Sequence, residues 1–399
     1  MNLRKNCIDM KLHFCTEARF IKKNELIYSI DGSFTNIILG RYLKVFSSIT
    51  IFARVLEDAD YHVNEKYLIN NDSISFVELP YYIGPFQYIK QQNKIKSIIN
   101  DNITKDAVYI CRVPGQIGKL MASFLHRKNI KYGVEVVGDP WDVFSSGGVK
   151  HLFRVFFKYN ECFALKKIVK RASAVLYVTK NALQNRYPAA EKAFTTNASN
   201  IQIKLESGIL PKRLEKTDKF SIISIGSLTQ MYKAPDIVIK ALRILKDRNF
   251  DVDFTWVGDG YYKDEMIKMA KEYNVDNIIH FVGSVSHDQV LSYLKKFDLF
   301  VLVSRTEGLP RVVIEAMSQG LPCIGTRVGG IPELLNDIAL IQPNDEIALA
   351  DKIEEILKNK DLAFILASEN IEHSKEYDDD ILQVRRENFY KELIIRSTK

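Results

Sequence analysis

The chain has 399 residues, 46% apolar and 26% charged, with a formal net charge of +7. That length and apolar share suit two globular domains with real cores, and exclude a largely disordered chain. The basic surplus suits anionic ligands or an anionic membrane face, but no Lys/Arg block is long enough for a nucleic-acid binder.

The N-terminal MNLRKNCIDMKLHFC lacks the continuous apolar stretch of a signal peptide, and no run reaches the roughly 18 apolar residues of a membrane span. The expectation is a cytoplasmic protein, either soluble or resting on the inner face of the cell membrane. Strands are expected at 9–15, 48–54, 75–79, 107–111, 132–137 and 174–178, with helices at 87–99, 117–128 and 149–171. The stretch 193–217 mixes Asn, Thr, Ser, Gly, Pro and charge, and is expected to be a hinge. Beyond it the alternation sharpens. Strands are expected at 221–225, 252–257, 278–282, 299–303, 322–325 and 338–341, with helices at 235–246, 261–273, 288–295, 311–319, 333–335 and 346–357. Apolar strands alternating with amphipathic helices predict an α/β fold of two Rossmann-like domains. The expected division is 1–205 and 206–377, with a helix at about 378–399 packing back on the first domain. Cys7, Cys15, Cys111, Cys162 and Cys323 are odd in number and widely spaced, which fits a reducing compartment and small core residues.

The chemistry concentrates where strands end. The strand at 299–303 runs into SRTEGLP, then a helix opens at Pro310. Ligands of open α/β sheets bind beyond the carboxyl ends of the strands, and a helix N-terminus there attracts phosphate. Glu307 lies in the loop and Glu315 about a turn and a half into the helix, so they are either site carboxylates or a loop cap and a solvated helix edge. The next strand runs into TRVGGIPEL, where Gly329-Gly330 could approach a ligand or form a tight turn, and Pro332 opens another helix. Earlier, 221–225 ends in Gly226-Ser227, with Lys233 just before Pro235, placed to meet a diphosphate unless it is an ordinary exposed lysine. Val257-Gly258-Asp259-Gly260 is a further strand end with a turn.

Together, IGSLTQMYKAPDIVIKAL, WVGDG and SRTEGLPRVVIEAMSQGLPCIGTRVGGIPEL resemble the family-four glycosyltransferases of the GT-B fold, most strongly from about residue 221 to 335. The likeness extends to bacterial polysaccharide-assembly members. It implies a retaining enzyme with two Rossmann-like domains facing each other across a cleft. Such an enzyme moves a sugar from a nucleotide-diphospho-sugar to a hydroxyl of a saccharide or lipid-linked saccharide, with no metal or other cofactor. It implies that Glu307 contacts the donor sugar and Glu315 the ribose. Lys233 would neutralise the diphosphate, aided by backbone at Gly308, Leu309 and Pro310, with Gly226, Ser227, Gly258 and Gly330 completing the donor side. Many members carry a basic residue where Ser227 stands, so Lys233 or Arg305 would supply that part of the clamp.

The first half should hold the acceptor. In YGVEVVGDPWDVF, Asp139 and Glu135 stand near where many members place a His. Asp139 is either a base for the acceptor hydroxyl or an Asp-Pro turn starter, and Glu135 a cleft residue or a buried partner. The loop Asp31-Gly32-Ser33 is a candidate for the acceptor side of the cleft or a plain turn. Lys150, Arg154, Lys158, Lys166, Lys167, Lys170 and Arg171 interleave with Phe153, Phe156, Phe157 and Phe163, as in a helix lying on anionic lipid or one with a buried aromatic face. The pairs Asp58/Asp60, Asp251/Asp253 and Asp378/Asp380 read as surface carboxylates, and no histidine spacing suggests a metal. Alternative readings are a non-catalytic nucleotide-sugar-binding protein and a GT-B sugar epimerase. A nicotinamide enzyme is disfavoured because Lys263 stands where the third glycine of Gly-x-Gly-x-x-Gly would be.

Overall fold

The computed structural model describes residues 8–143, 154–215, 219–285 and 287–398. Cys7, Phe144, Lys150, Phe153 and the expected start of the helix at 149 lie outside the described residues. The first sheet holds β1 (Ile8–Lys23), β2 (Leu26–Ser29), β3 (Phe46–Glu57), β4 (Leu68–Ile69), β5 (Ile74–Pro80), β6 (Ala107–Val113), β7 (Gly133–Val136), β8 (Ala174–Tyr177) and β9 (Phe194–Asn197). Its parallel body runs β5-β3-β1-β6-β7-β8-β9, with β2 and β4 added antiparallel on the end of β1. The second sheet holds β10 (Phe220–Ile225), β11 (Val252–Val257), β12 (Ile279–Gly283), β13 (Leu299–Leu302), β14 (Cys323–Thr326) and β15 (Leu340–Ile341). Its order, β12-β11-β10-β13-β14-β15, is parallel throughout and reverses direction between β10 and β13. Both units are Rossmann-like, as the alternation predicts.

Burial explains the second sheet's legibility. Leu299, Phe300, Val301 and Leu302 are all buried, so β13 is apolar on both faces. Helix Pro235–Asp247 turns Ile237, Val238, Ala241, Leu242 and Leu245 inward, and helix Arg311–Ser318 buries Val313, Ile314, Ala316 and Met317.

Several expectations need correction. β1 continues eight residues past Cys15, because Phe20 and Ile21 return to the core after a register shift between Cys15 and Arg19. The polar Thr16-Glu17 interrupts the apolar pattern and hides that continuation. Part of the expected hinge is β9, a polar edge strand that pairs with β8. Helix 333–335 is a single 3-10 turn, Ile331–Glu333, so the second strand-glycine-proline unit supplies no α-helix terminus. Helices Asn36–Leu43 and Lys360–Ser374 went unforeseen; the second spreads its apolar residues around its axis and shows no stripe.

The chain crosses between the sheets twice. The segment after β9 is pinned by Leu205 N–H to Asp378 and by Lys212 N–H to the Gly320 carbonyl. The tail helix Asp379–Thr398 then packs on the first sheet. Leu393 and Phe389 fill the space a side chain at Gly133 would need, and Arg41 meets Asp379 at 2.7 Å. Glu333 of the second unit accepts backbone N–H groups of Lys180, Asn181 and Ala182, which ties it to the start of helix Ala182–Arg186 in the first.

Candidate active site

The reversal of strand order between β10 and β13 opens a crevice at their carboxyl ends, where doubly wound sheets bind ligands. The loops after these two strands meet there. Ile225, Gly226, Ser227, Lys233, Glu307, Leu309, Pro310, Arg311, Val312 and Glu315 enclose a pocket of about 340 Å³.

Lys233 ends a 3-10 turn, Met231–Lys233, and its stem lies over Gly226. A side chain at Gly226 would meet that stem at 3.0 Å, so glycine leaves its path open. Ala234, next in line, sits at φ +54, ψ +49, a left-handed conformation that is costly for a residue with a β-carbon. Pro235 disfavours the right-handed helical alternative at that residue. The Lys233 ammonium meets Glu307 Oε1 at 2.5 Å, and Ser304 Oγ donates to the same oxygen at 2.6 Å. The two side chains are 11% and 9% exposed, so the pair is well shielded from bulk water. Glu315 is buried on the inner side of helix Arg311–Ser318. Of the two readings open for it, the solvated helix edge does not hold: Glu315 lies on the pocket wall.

The surrounding glycines serve packing. A side chain on Gly258 would collide with the Gly226 carbonyl at 2.0 Å, and one on Gly329 with the Glu307 carbonyl at 1.8 Å. Gly330 N–H donates to the Gly308 carbonyl at 2.6 Å. Gly258 and Gly330 therefore brace, from behind, the two loops that carry the pocket. Pro310 is the residue before the helix, which begins at Arg311. Arg305 is also corrected: it grips Asp236 through both terminal nitrogens, at 3.0 and 2.6 Å, and donates to the Met231 carbonyl, bracing the lysine turn. The arginine that does reach the pocket, beside Lys233, is Arg311, which the sequence reading missed although it adjoins Pro310.

Leu309 and Arg311 also line a second, larger cleft of about 690 Å³, whose other walls come from the first unit. Gly32, at φ +67 in the loop Asp31–Ser33, lies on it, as does Glu135. Both Glu135 carboxylate oxygens accept from Tyr42 Oη, at 3.0 and 3.1 Å, and Arg112 pairs with it at 2.8 Å. Burial and the Glu135 charge push the Tyr42 hydroxyl's pKa well above its usual value, so it stays a donor. Asp139 is not on this wall. Its carboxylate accepts from Trp141 N–H and Tyr187 Oη and pairs with Arg186, an engagement that favours the Asp-Pro turn reading over the acceptor-base reading. Asp253 pairs with Lys219, while Asp58 and Asp378 accept backbone N–H groups in their own turns. Among the described residues no group of three or more His, Cys, Asp and Glu side chains could hold a metal ion.

The chain's similarity to known proteins falls on this same framework. Residues 208–373 match the family described as glycosyl transferases group 1. Protein CapJ of Staphylococcus aureus is 30% identical over 389 residues, covering 96% of this chain and 97% of CapJ. The chain belongs to the group 1 glycosyltransferases. Two solved structures share the fold of this glycosyltransferase at low identity. The lipopolysaccharide outer core galactosyltransferase WaaB superposes with TM-score 0.67 at 15% identity, over 96% of this chain and 99% of WaaB. HepE of Anabaena, solved with UDP and glucose, gives TM-score 0.66 at 14% identity over 96% and 99%. The two sheets are thus the two halves of a GT-B fold, and the pocket at β10 and β13 lies within the family-matched segment of the transferase.

Proposed function

We propose that this glycosyltransferase moves a sugar, with retention, from a nucleotide-diphospho-sugar to a hydroxyl of a saccharide or lipid-linked saccharide in bacterial surface polysaccharide synthesis. The observation that carries the reading is the meeting of Lys233, Glu307 and Glu315 in one pocket at the β10/β13 switch point. The complexes of HepE with UDP-containing ligands and the name of WaaB support a nucleotide-sugar donor and a polysaccharide setting.

In this reading the donor diphosphate lies over Lys233 and the start of helix Arg311–Ser318. The ammonium and the N–H groups there stabilise charge as it develops on the leaving diphosphate. Glu307, swung off Lys233 by the incoming phosphate, takes donor sugar hydroxyls, and Glu315 takes the ribose. The acceptor oxygen bonds to the anomeric carbon as that carbon's bond to the diphosphate breaks. The diphosphate leaves with the electron pair, and the acceptor proton passes to it on the same face. No metal or other cofactor enters the scheme. The acceptor comes from the large cleft, past Gly32 and Glu135, and the two units close over the substrates about the linker near 205 and the crossover before the tail helix.

A membrane-proximal acceptor is supported by helix Arg154–Arg171, which exposes Val155, Phe156, Tyr159 and Phe163 beside Lys166, Lys167 and Lys170. No described helix is long and apolar enough to cross a membrane, so contact would be peripheral. The test is a panel of nucleotide-sugars scored for thermal stabilisation, followed by transfer assays. Glu307→Ala and Lys233→Ala should each reduce transfer at least about tenfold. Near-wild-type turnover by the correctly folded variants would remove these assignments.

A further inference from the structure

The large cleft holds more positive charge than its own carboxylates balance. Arg41 and Arg386 line it with side chains only 9% and 5% exposed. Both guanidinium groups look to a single carboxylate, Asp379, at 2.7 and 3.8 Å. Arg386 donates from Nη2 to the Ser199 carbonyl, while its buried Nη1 has no hydrogen-bond partner among the described residues. Burial first, and the Arg41 charge second, lower the Arg386 pKa from its usual value.

The remaining charges do not remove this surplus. Arg112 is balanced by Glu135. Asp31 and Arg311 are both exposed at the rim, one of each sign. Two buried guanidinium groups sharing one carboxylate leave an uncompensated cation, which is costly in a shielded cleft unless an anion completes it. Guanidinium forks match the paired anionic oxygens of carboxylate and phosphate, which a neutral sugar does not offer.

We propose that the acceptor is anionic, its carboxylate or phosphate held near Arg41 and Arg386 while its reacting hydroxyl points toward the Leu309–Arg311 wall shared with the donor pocket. The proposal rests on the transferase reading for its geometry, and its test separates the two. Calorimetric titration of the whole protein, with and without UDP, would compare glucuronate, glucose 6-phosphate and glucose. At least one charged sugar should bind about tenfold tighter than glucose. The stronger of the two identifies carboxylate or phosphate as the preferred group. Lys233→Ala should weaken UDP and spare the charged sugar; Arg386→Gln should do the reverse. Arg41→Lys, which keeps the charge but loses the fork, should also weaken the charged sugar. Equal or tighter binding of glucose, no saturable binding of either charged sugar, or loss of charged-sugar binding in Lys233→Ala overturns the proposal. Failure of UDP to bind would instead count against the donor reading and leave the anionic cleft standing.

Discussion

The second-sheet pocket draws Lys233, Glu307 and Glu315 from two adjacent strand ends, whereas the first-sheet wall of the cleft draws Arg41, Tyr42, Arg112, Glu135 and Arg386 from four separate elements. In the pocket, two short loops carry Lys233 and Glu307, glycines hold them close, and Glu315 follows on the helix that the second loop opens. In the cleft, Tyr42 reaches Glu135 across 93 residues, and the tail helix brings Arg386 beside Arg41. A site built from local strand-to-helix turns leaves a compact sequence signature. A site built from dispersed residues leaves almost none, because tertiary packing alone decides which of many charged residues meet.

The largest effect should come from separating the Lys233–Glu307 pair. Lys233→Met or Glu307→Gln should lower transfer by about 10² or more, since each group is proposed to act on the donor. Each single change also strands a shielded charge, so the melting temperature should fall. The double variant should regain stability without regaining activity, by a coupling of about 1–3 kcal/mol. Additive stability losses would show that the pair is not coupled.

Asp139 tests the other side of the comparison. Asp139→Asn removes one of the two carboxylates facing the partly buried Arg186, Asp142 remaining at 3.3 Å, so stability should drop by about 2 kcal/mol. Turnover per folded molecule should stay at the wild-type value; a loss beyond tenfold would restore Asp139 to the chemistry.

A pH effect of similar or smaller size belongs to the first sheet's core. Burial pushes the His13 pKa down to about 4, the ring lying between Phe52 and Tyr109, with Asp106 partly opposing the shift. The unfolded chain takes the proton more readily, so this contribution is whole above about pH 6.5 and is lost as pH falls toward 4. Its size is at most roughly 3 kcal/mol. His13→Phe should flatten the melting temperature over that range; an unchanged slope would assign the acid sensitivity elsewhere.

The smallest effect expected is at Glu135. Glu135→Gln keeps the shape but weakens the hold on Arg112 and Tyr42. It should lower kcat/KM for the acceptor about tenfold and leave donor binding intact. Equal damage to both substrates would show that the cleft and the pocket are one functional unit.

The sequence by itself determined the α/β class, the run of strands from β10 to β14, and the pairing of Glu307 and Glu315 with Lys233 as one family-like constellation. Those features are local: apolar runs form buried parallel strands, and glycine and proline mark where they end. Tertiary structure alone decided that β1 extends past Cys15, that part of the expected hinge is the edge strand β9, and that Asp139 faces Arg186. It also decided that Arg305 braces a turn while Arg311 reaches the pocket. Arg305 and Arg311 lie six residues apart on either side of one loop, and nothing in their spacing tells them apart. Asp236, an opposite charge brought close by folding, separates them by engaging Arg305.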